Sequence, residues 1–378
     1  MQHLDRRQAL IGMGATLLAA PLTTDTAGAW EWQSISPSDA GFVPDIEARL
    51  DKLVANKRAW GLHGVVVVRN GRLVLERYFE GEDDARGRPL GKVAFDRDTL
   101  HDLRSVSKSI VGLLYGIALQ QGKVPPVEAP LVASFPEYSD LAGDPARSRW
   151  TIHHALTMTL GTDWDEISTP YANPANSETA MDRAPDRYRF VLDRPILREP
   201  GTAWTYNGGA TALLARIIAG GTAKPLHDFA REVLFDPLGI GRTEWLADHK
   251  GEAFAASGLR MTSRDLARIG AMVLGLGTWQ GRPIVPKEWI EKSTSPFVPC
   301  PWSDSYGYHW YLGEWPAAVT GGVRWERWWG GIGYGGQRLF IVPARDLVVV
   351  TTAGNYRDQN QQVPPTRIMQ EVVLPSII

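Results

Sequence analysis

Two hairpins, one near each end of the chain, constrain the fold more than any other feature. Residues 64–69 form a β-branched run, Asn70-Gly71 is a two-residue turn pair, and residues 72–79 return as a second strand. Near the C-terminus, residues 338–342 and 347–352 flank Pro343-Ala344-Arg345-Asp346 in the same way. Between these ends the pattern is helical. Residues 105–121 stop at Gly122, and Thr151 caps a segment over 152–160 that ends at Gly161. Residues 209–219 place Leu213, Leu214, Ile217 and Ile218 at helical spacing ahead of Gly220-Gly221. Residues 263–274 form another capped amphipathic segment, and 366–373 is expected as a helix packed on the sheet. The segment 170–200, of mixed polarity and with several prolines, reads as a long loop.

Strands at both ends with helices between predict an α/β chain of the α+β type. Its antiparallel sheet is built from both termini, residues 30–100 and 276–378, and is flanked by helices. Residues 101–275 form an inserted all-helical region, and the seam between the two is the expected site. With 378 residues, 44% of them hydrophobic, the chain is long enough for a sizeable core. A net charge of −2 with scattered arginines offers no field for nucleic acid or for a membrane surface. The expected partner is therefore a small molecule. Cys300 is the only cysteine, which excludes an internal disulfide and a multi-cysteine metal site.

The N-terminus reads as an address. Arg6-Arg7 precede an apolar stretch, residues 9–20, that is short for a membrane span, and Ala27-Gly28-Ala29 is a small-x-small cleavage site. Residues 1–29 are thus expected to be a twin-arginine-like export signal, cleaved near Ala29. The mature protein would have no membrane span and would work in the periplasm or outside the cell.

Ser105-Val106-Ser107-Lys108, the only Ser-x-x-Lys in the chain, carries the chemistry. At the mouth of a helix this spacing puts both side chains on one face, one turn apart. The serine sits where free N–H groups and the positive helix end favour a developing negative charge. That suits a serine acyl-enzyme in which no histidine serves as base. Tyr206, in a turn leading into a helix, is the candidate second proton acceptor. The run Gly330-Gly331-Ile332-Gly333-Tyr334-Gly335-Gly336 lets a ligand approach a strand closely, and a strand N–H there could join the Ser105 N–H as an oxyanion hole. Other chemistries lack their signatures. The eight histidines show no metal-ligand spacing, so no metal or cofactor is expected, and no Gly-x-Ser-x-Gly elbow or phosphate-cradling loop occurs. Asp163, Asp165 and Glu166 read as a solvated acidic loop.

In this order and spacing, the motifs resemble those of the β-lactamase-related serine hydrolases over nearly all of the mature chain. That family includes class C β-lactamases, D-alanyl-D-alanine peptidases, family VIII carboxylesterases and nylon-oligomer hydrolases. The resemblance implies Ser105 as nucleophile, Lys108 as its partner, Tyr206 as a shared acid/base, and the N–H groups of Ser105 and Tyr334 as oxyanion donors. Gly331, Gly333, Asn207, Trp164 and Trp329 are the candidates for the substrate strand and pocket. Two departures stand out. Gly208 occupies the third position of the family's frequent Tyr-x-Asn, and Gly331 stands where a cation often opens the last-strand triplet. A substrate carboxylate would normally meet that cation. Its absence points to an esterase or amidohydrolase, unless Arg324, Arg327 or Arg338 folds into the site. The alternatives are a D-alanyl-D-alanine peptidase or β-lactamase, and, from another class, a non-catalytic cell-envelope binding protein on the same scaffold.

Overall fold

Asn70 and Gly71 both adopt positive φ, 50° and 68°, as a two-residue hairpin turn requires. They join β1 (Leu62–Arg69) to β2 (Arg72–Tyr78) at one edge of an eight-stranded antiparallel sheet. From the other edge the sheet runs through β10 (Val298–Cys300), β11 (Ser303–Tyr306), β12 (Tyr311–Val319), β13 (Gly322–Gly333), β14 (Gln337–Val342) and β15 (Leu347–Ala353) to β1 and β2. The computed structural model describes residues 30–319 and 322–378, so the expected export signal lies outside the described residues. Three smaller sheets complete the strands. They are a β3 (Glu80–Ala85)–β4 (Arg88–Ala94) hairpin, a three-stranded sheet, and a β8 (Thr278–Trp279)–β9 (Arg282–Pro283) hairpin. The three-stranded sheet has the order β5 (His101–Asp102), β7 (Leu259–Met261), β6 (Glu244–Trp245).

The helices are α1 (Ile46–Ala55), α2 (Val106–Gln120), α3 (Ser139–Ala142), α4 (Ile152–Leu156), α5 (Ser177–Arg183) and α6 (Arg187–Leu192). They continue with α7 (Gly208–Thr222), α8 (Leu226–Ala230), α9 (Ser263–Leu274), α10 (Lys287–Ser293) and α11 (Val363–Arg367). β14 and β15 are buried at every position because the sheet is covered on both faces. One face holds Val65, Val67, Phe340, Val342 and Val349 against Ile46 and Leu50 of α1 and the C-terminal Ile368 and Val372. On the other, α9 sits so close that a β-carbon on Gly270 would lie 2.7 Å from Leu339 and 2.6 Å from Val348.

The expected antiparallel sheet from both termini is present, and three local features differ. Residues 101–275 are not all helical, since β5, β7 and β6 form a sheet within them, and α9 packs on the large sheet. The segment 170–200 contains α5 and α6, capped by Asn176 and Asp186, whose side chains accept backbone N–H bonds of the first turn. The helix expected over 152–160 ends at Leu156, where Met158 turns to φ 57°. Residues 32–378 hold together as one compact unit. Among the described residues no helix is long and apolar enough to cross a membrane.

α2 lies at the centre of this arrangement, buried from Val106 to Ala118, as a helix apolar on every side must be. α10 packs on it through Trp289, whose indole donates to the Gly112 carbonyl at 2.9 Å. A β-carbon on Gly116 would lie 2.2 Å from the Trp289 ring. Glycine to alanine inside a helix normally adds about 1 kcal/mol of stability. Here the rigid ring cannot yield, so Gly116→Ala is expected to lower stability by about 1–3 kcal/mol. A drop in the urea midpoint with an unchanged slope checks this.

Candidate active site

β5 delivers the chain to Ser105 through Arg104, a non-glycine residue at φ 50°. Such a conformation is costly and persists where the surroundings over-determine it. Arg104 pairs with Asp84 and with Asp102 (3.2 Å), and its guanidinium stacks 4.8 Å from the centre of the Tyr356 ring. After this turn Ser105 caps α2, and Lys108 stands one turn further along. Lys108 Nζ donates to Ser105 Oγ at 3.1 Å and to the Ala256 carbonyl at 3.0 Å. The two intervening and following serines brace the turn rather than react. Ser107 Oγ donates to the Arg104 carbonyl and accepts from Leu259 N, while Ser109 Oγ donates to the His309 carbonyl.

Tyr206 reaches the same point from the start of α7. Its ring centre lies 4.7 Å from Lys108 Nζ, and it lines the same cleft as Ser105. Burial, followed by the neighbouring Glu166 carboxyl, holds the phenol well above its ordinary pKa and so protonated. Ser105, Lys108 and Tyr206 therefore converge at one end of a cleft of about 1030 Å³. Its walls include Ile167, Tyr171, Trp302, Ile332, Tyr334 and Tyr356.

The residue that sequence reasoning missed is Glu166. Rather than lying on a solvated loop, it is 2% exposed, with Oε1 4.0 Å from Lys108 Nζ. Its Oε2 accepts from Trp164 Nε1 at 2.7 Å and from Gly208 N at 2.5 Å, and its Oε1 accepts from the Tyr171 hydroxyl at 3.3 Å. Glu166 and the equally buried Glu178 are hydrogen-bonded to each other. Two carboxyls so placed cannot both ionise. Burial and then the Glu178 charge push Glu166 up to about 8. Glu178 works against its own burial and is held down by Lys108 and Arg86. Arg86 continues the chain, lying 3.5 Å from Glu178, pairing with Asp182 and donating to Ser257 Oγ at 3.0 Å. Glu166 also accounts for the missing amide after Tyr206. A β-carbon on Gly208 would lie 3.0 Å from Glu166 Oε2, so the carboxyl takes the space an asparagine would need. The other two acids of the cluster are ordinary surface groups, Asp163 paired with Arg194 and Asp165 bonded to Ser168 and Thr169.

The remaining sequence-predicted residues separate into those at the cleft and those packed elsewhere. Gly333 and Tyr334 line the cleft with Ser105, and the Tyr334 N–H donates no hydrogen bond within the turn. The glycines of β13 serve close packing of the protein on itself, not of a ligand on the strand. A β-carbon on Gly333 would meet the Leu103 carbonyl at 2.3 Å, and one on Gly331 would meet Val106 at 2.9 Å. Asn207 is a helix cap, accepting from Ala210 N at 3.0 Å, and is away from the cleft wall. Trp164 packs beneath, holding Glu166. Trp329 faces a separate surface hollow with Val68, Ala271 and Pro343. The tryptophan at the cleft is Trp302, with its ring centre 5.0 Å from that of Tyr206. Arg338 is buried and donates to the Gly333 and Gln337 carbonyls, Arg324 pairs with Glu326, and Arg327 pairs with Glu314. None of the three lines the cleft. Away from it, the buried side chains of His63, Asp83 and His101 converge and are the candidate metal ligands among the described residues.

The Glu166 environment predicts a pH dependence. A carboxyl raised from 4.5 to about 8 must keep its proton in the folded state, so folding loses stability as pH rises from about 4.5 through 8. Glu178, held down, is ionised throughout this window and adds no slope. Glu166→Gln keeps an acceptor for Trp164 and Gly208 and a donor for Glu178, but does not titrate. Its stability relative to the parent is expected to rise by roughly 2 kcal/mol between pH 6 and 8. Denaturation at the two pH values measures this, and equal slopes for both chains would refute it.

The sequence profile of the Beta-lactamase family matches residues 46–371. The 6-aminohexanoate-dimer hydrolase of Paenarthrobacter ureafaciens is 26% identical over 330 residues, spanning 82% of this chain and 74% of that protein. Esterase EstB of Burkholderia gladioli is 26% identical over 223 residues, 57% of this chain and 54% of that one. The class C β-lactamase structure from Rhodobacter sphaeroides shares the fold, with a TM-score of 0.63 at 19% identity over 86% of this chain and 98% of that one. With a matching profile over most of its length and the mixed sheet-and-helix fold of its neighbours, the chain belongs to the β-lactamase family of serine hydrolases.

Proposed function

We propose that this protein is an exported hydrolase that cleaves an ester or amide of a small molecule through an acyl-enzyme on Ser105, with carboxylesterase- or amidohydrolase-like preference. The observation that carries the reading is Lys108 Nζ at 3.1 Å from Ser105 Oγ, at the head of an open cleft. Ser105 Oγ attacks the carbonyl carbon, and Lys108, already in hydrogen-bond contact, takes its proton. Tyr206, whose phenol burial keeps protonated, passes a proton to the leaving group. The Ser105 and Tyr334 N–H groups receive the oxyanion, an effect of roughly 3 kcal/mol per donor. Water then releases the acid, with proton transfer in reverse. The names of the two relatives, an esterase and a 6-aminohexanoate-dimer hydrolase, support this class of substrate. The aromatic side chains Tyr171, Trp302, Tyr334 and Tyr356 on a cleft wall of otherwise mostly polar residues favour an apolar acyl group beside them. The expected setting is the periplasm or the exterior, after removal of residues 1–29.

A second reading, cleavage beside a substrate carboxylate as in a D-alanyl-D-alanine peptidase or β-lactamase, has one observation in its favour. Arg183 and Arg357 line the cleft and form no ion pair among the described residues. Both are exposed at the rim, far less committed than a cation in the β13 triplet would be.

A matched chromogenic panel separates the readings: a short-chain ester, an anilide and a cephalosporin, each with Ser105→Ala as control. Ester or anilide turnover should fall at least about a thousandfold in Ser105→Ala, while the variant unfolds at the parent's midpoint. Lys108→Ala and Tyr206→Phe should each lower kcat by roughly 10²–10⁴-fold with little change in KM. Full activity in Ser105→Ala would refute the assignment. Rapid cephalosporin turnover, abolished in Arg183→Ala/Arg357→Ala, would favour the second reading. Stoichiometric labelling of Ser105 without turnover on any substrate would leave a binding protein.

A further inference from the structure

The structure assigns a divalent transition-metal site to His63, Asp83 and His101, a cluster that takes no part in the cleft. The three residues come from β1, β3 and β5, strands of three different sheets, and each is at least nine-tenths buried. One ligand atom from each lies within 4.8 Å of the others. His63 Nδ1 is 2.8 Å from His101 Nε2, which is 3.7 Å from Asp83 Oδ1.

The hydrogen bonds around the rings leave the two facing nitrogens able to serve a cation. A neutral imidazole has one N–H and one lone pair. His101 Nδ1 lies 2.9 Å from the Asp102 carbonyl, which can only accept, so its N–H is committed there. His101 Nε2 therefore presents a lone pair to His63 Nδ1. In one tautomer His63 donates to it; in the other, both nitrogens offer lone pairs to a cation held between them. Histidines that bind metal commonly donate their second N–H to a carbonyl in this manner, which sets tautomer and ring orientation.

Asp83 supplies the charge. Its Oδ1 accepts from the Tyr356 hydroxyl at 3.1 Å, while its buried Oδ2 makes no hydrogen bond of good geometry. A buried carboxylate oxygen left without a partner is costly, and a cation satisfies it. The dimensions fit. Zinc bonds of 2.0–2.1 Å put tetrahedral ligand atoms about 3.3 Å apart; the ring nitrogens are 2.8 Å apart, His101 Nε2 is 3.7 Å from Asp83 Oδ1, and one ligand atom from each residue lies within 4.8 Å of the others, so small side-chain shifts bring the carboxylate into range. Two imidazole nitrogens and one carboxylate suit zinc, cobalt or ferrous iron rather than magnesium or calcium. The ring of His63 is also held in place: β-carbons on Gly81 and Gly354 would lie 2.5 and 2.6 Å from it, and Phe95 stacks on it at 4.2 Å. The ion would fasten β1, β3 and β5 together at the segment that runs on from His101 to Ser105.

The test uses the full chain, stripped with a chelator and titrated with Co²⁺ and then Zn²⁺. One equivalent of Co²⁺ should develop the visible bands of tetrahedral coordination and be displaced by Zn²⁺, and Zn²⁺ should raise the thermal midpoint by several degrees. Asp83→Asn and His101→Gln should each weaken Co²⁺ binding at least about tenfold. Crystals of the parent chain grown with Zn²⁺ should show an anomalous peak among the three side chains, which decides the matter even if a variant fails to fold. No peak there, a peak only at surface histidines, or unchanged Co²⁺ affinity in both folded variants would overturn the assignment.

Discussion

Burying Lys108 beside Ser105 is the constraint on which the rest of the structure depends. An amine that is 2% exposed must be held by partners, because isolated charge and unsatisfied donors are expensive away from water. Its partners come from widely separated parts of the chain: Ser105 on its own helix, the Ala256 carbonyl from the loop before β7, the Tyr206 ring at the start of α7, and Glu166 beneath. Each partner is fixed in turn. Glu166 is held by Trp164 and Gly208, Glu178 by Arg86 and Ser257, and Arg86 by Asp182. The result is a polar chain from the nucleophile to the far side of the cleft whose members are each satisfied by another. Such a network fixes geometry because no single member can move without leaving a buried group unpaired.

This network explains why the chain departs from its family's common pattern where it does. Gly208 replaces an amide because the Glu166 carboxyl fills the space beside it and takes the Gly208 N–H. The cleft floor therefore has a proton-sharing carboxyl pair where relatives with Tyr-x-Asn have a side-chain amide. Gly331 and Gly333 likewise reflect tight packing of β13 against the turn that carries Ser105. A larger residue at Gly333 would push the strand off the Leu103 carbonyl and move the Tyr334 N–H relative to Ser105. The absent cation and the close strand are thus two sides of one packing arrangement.

Features set by neighbours within a turn were legible in the amino-acid order. The Asn70-Gly71 hairpin, the cap at Thr151, and the Ser105–Lys108 pairing on one helical face follow from local periodicity and turn chemistry. The glycine strand was legible as a place of close approach, but not what approaches it. Glu166 was not legible, since Asp163 and Asp165 beside it really are surface groups, and the one local hint is its position between Trp164 and Ile167. Trp302 was passed over in favour of Trp164 and Trp329 for the same reason: which tryptophan borders a cleft depends on how strands meet helices, not on the residues adjoining it.

The sequence by itself determined the elements and the Ser105–Lys108 pair, because hydrophobic period, caps and the three-residue step along a helix are short-range properties of the chain. Only the tertiary structure decided the environment of that pair. The protonated carboxyl beside Lys108 and the cluster of His63, Asp83 and His101 bring together groups that share no local spacing, and the charge each carries is set by burial. Burial is a property of everything packed around a residue, so it exists only once the chain has folded.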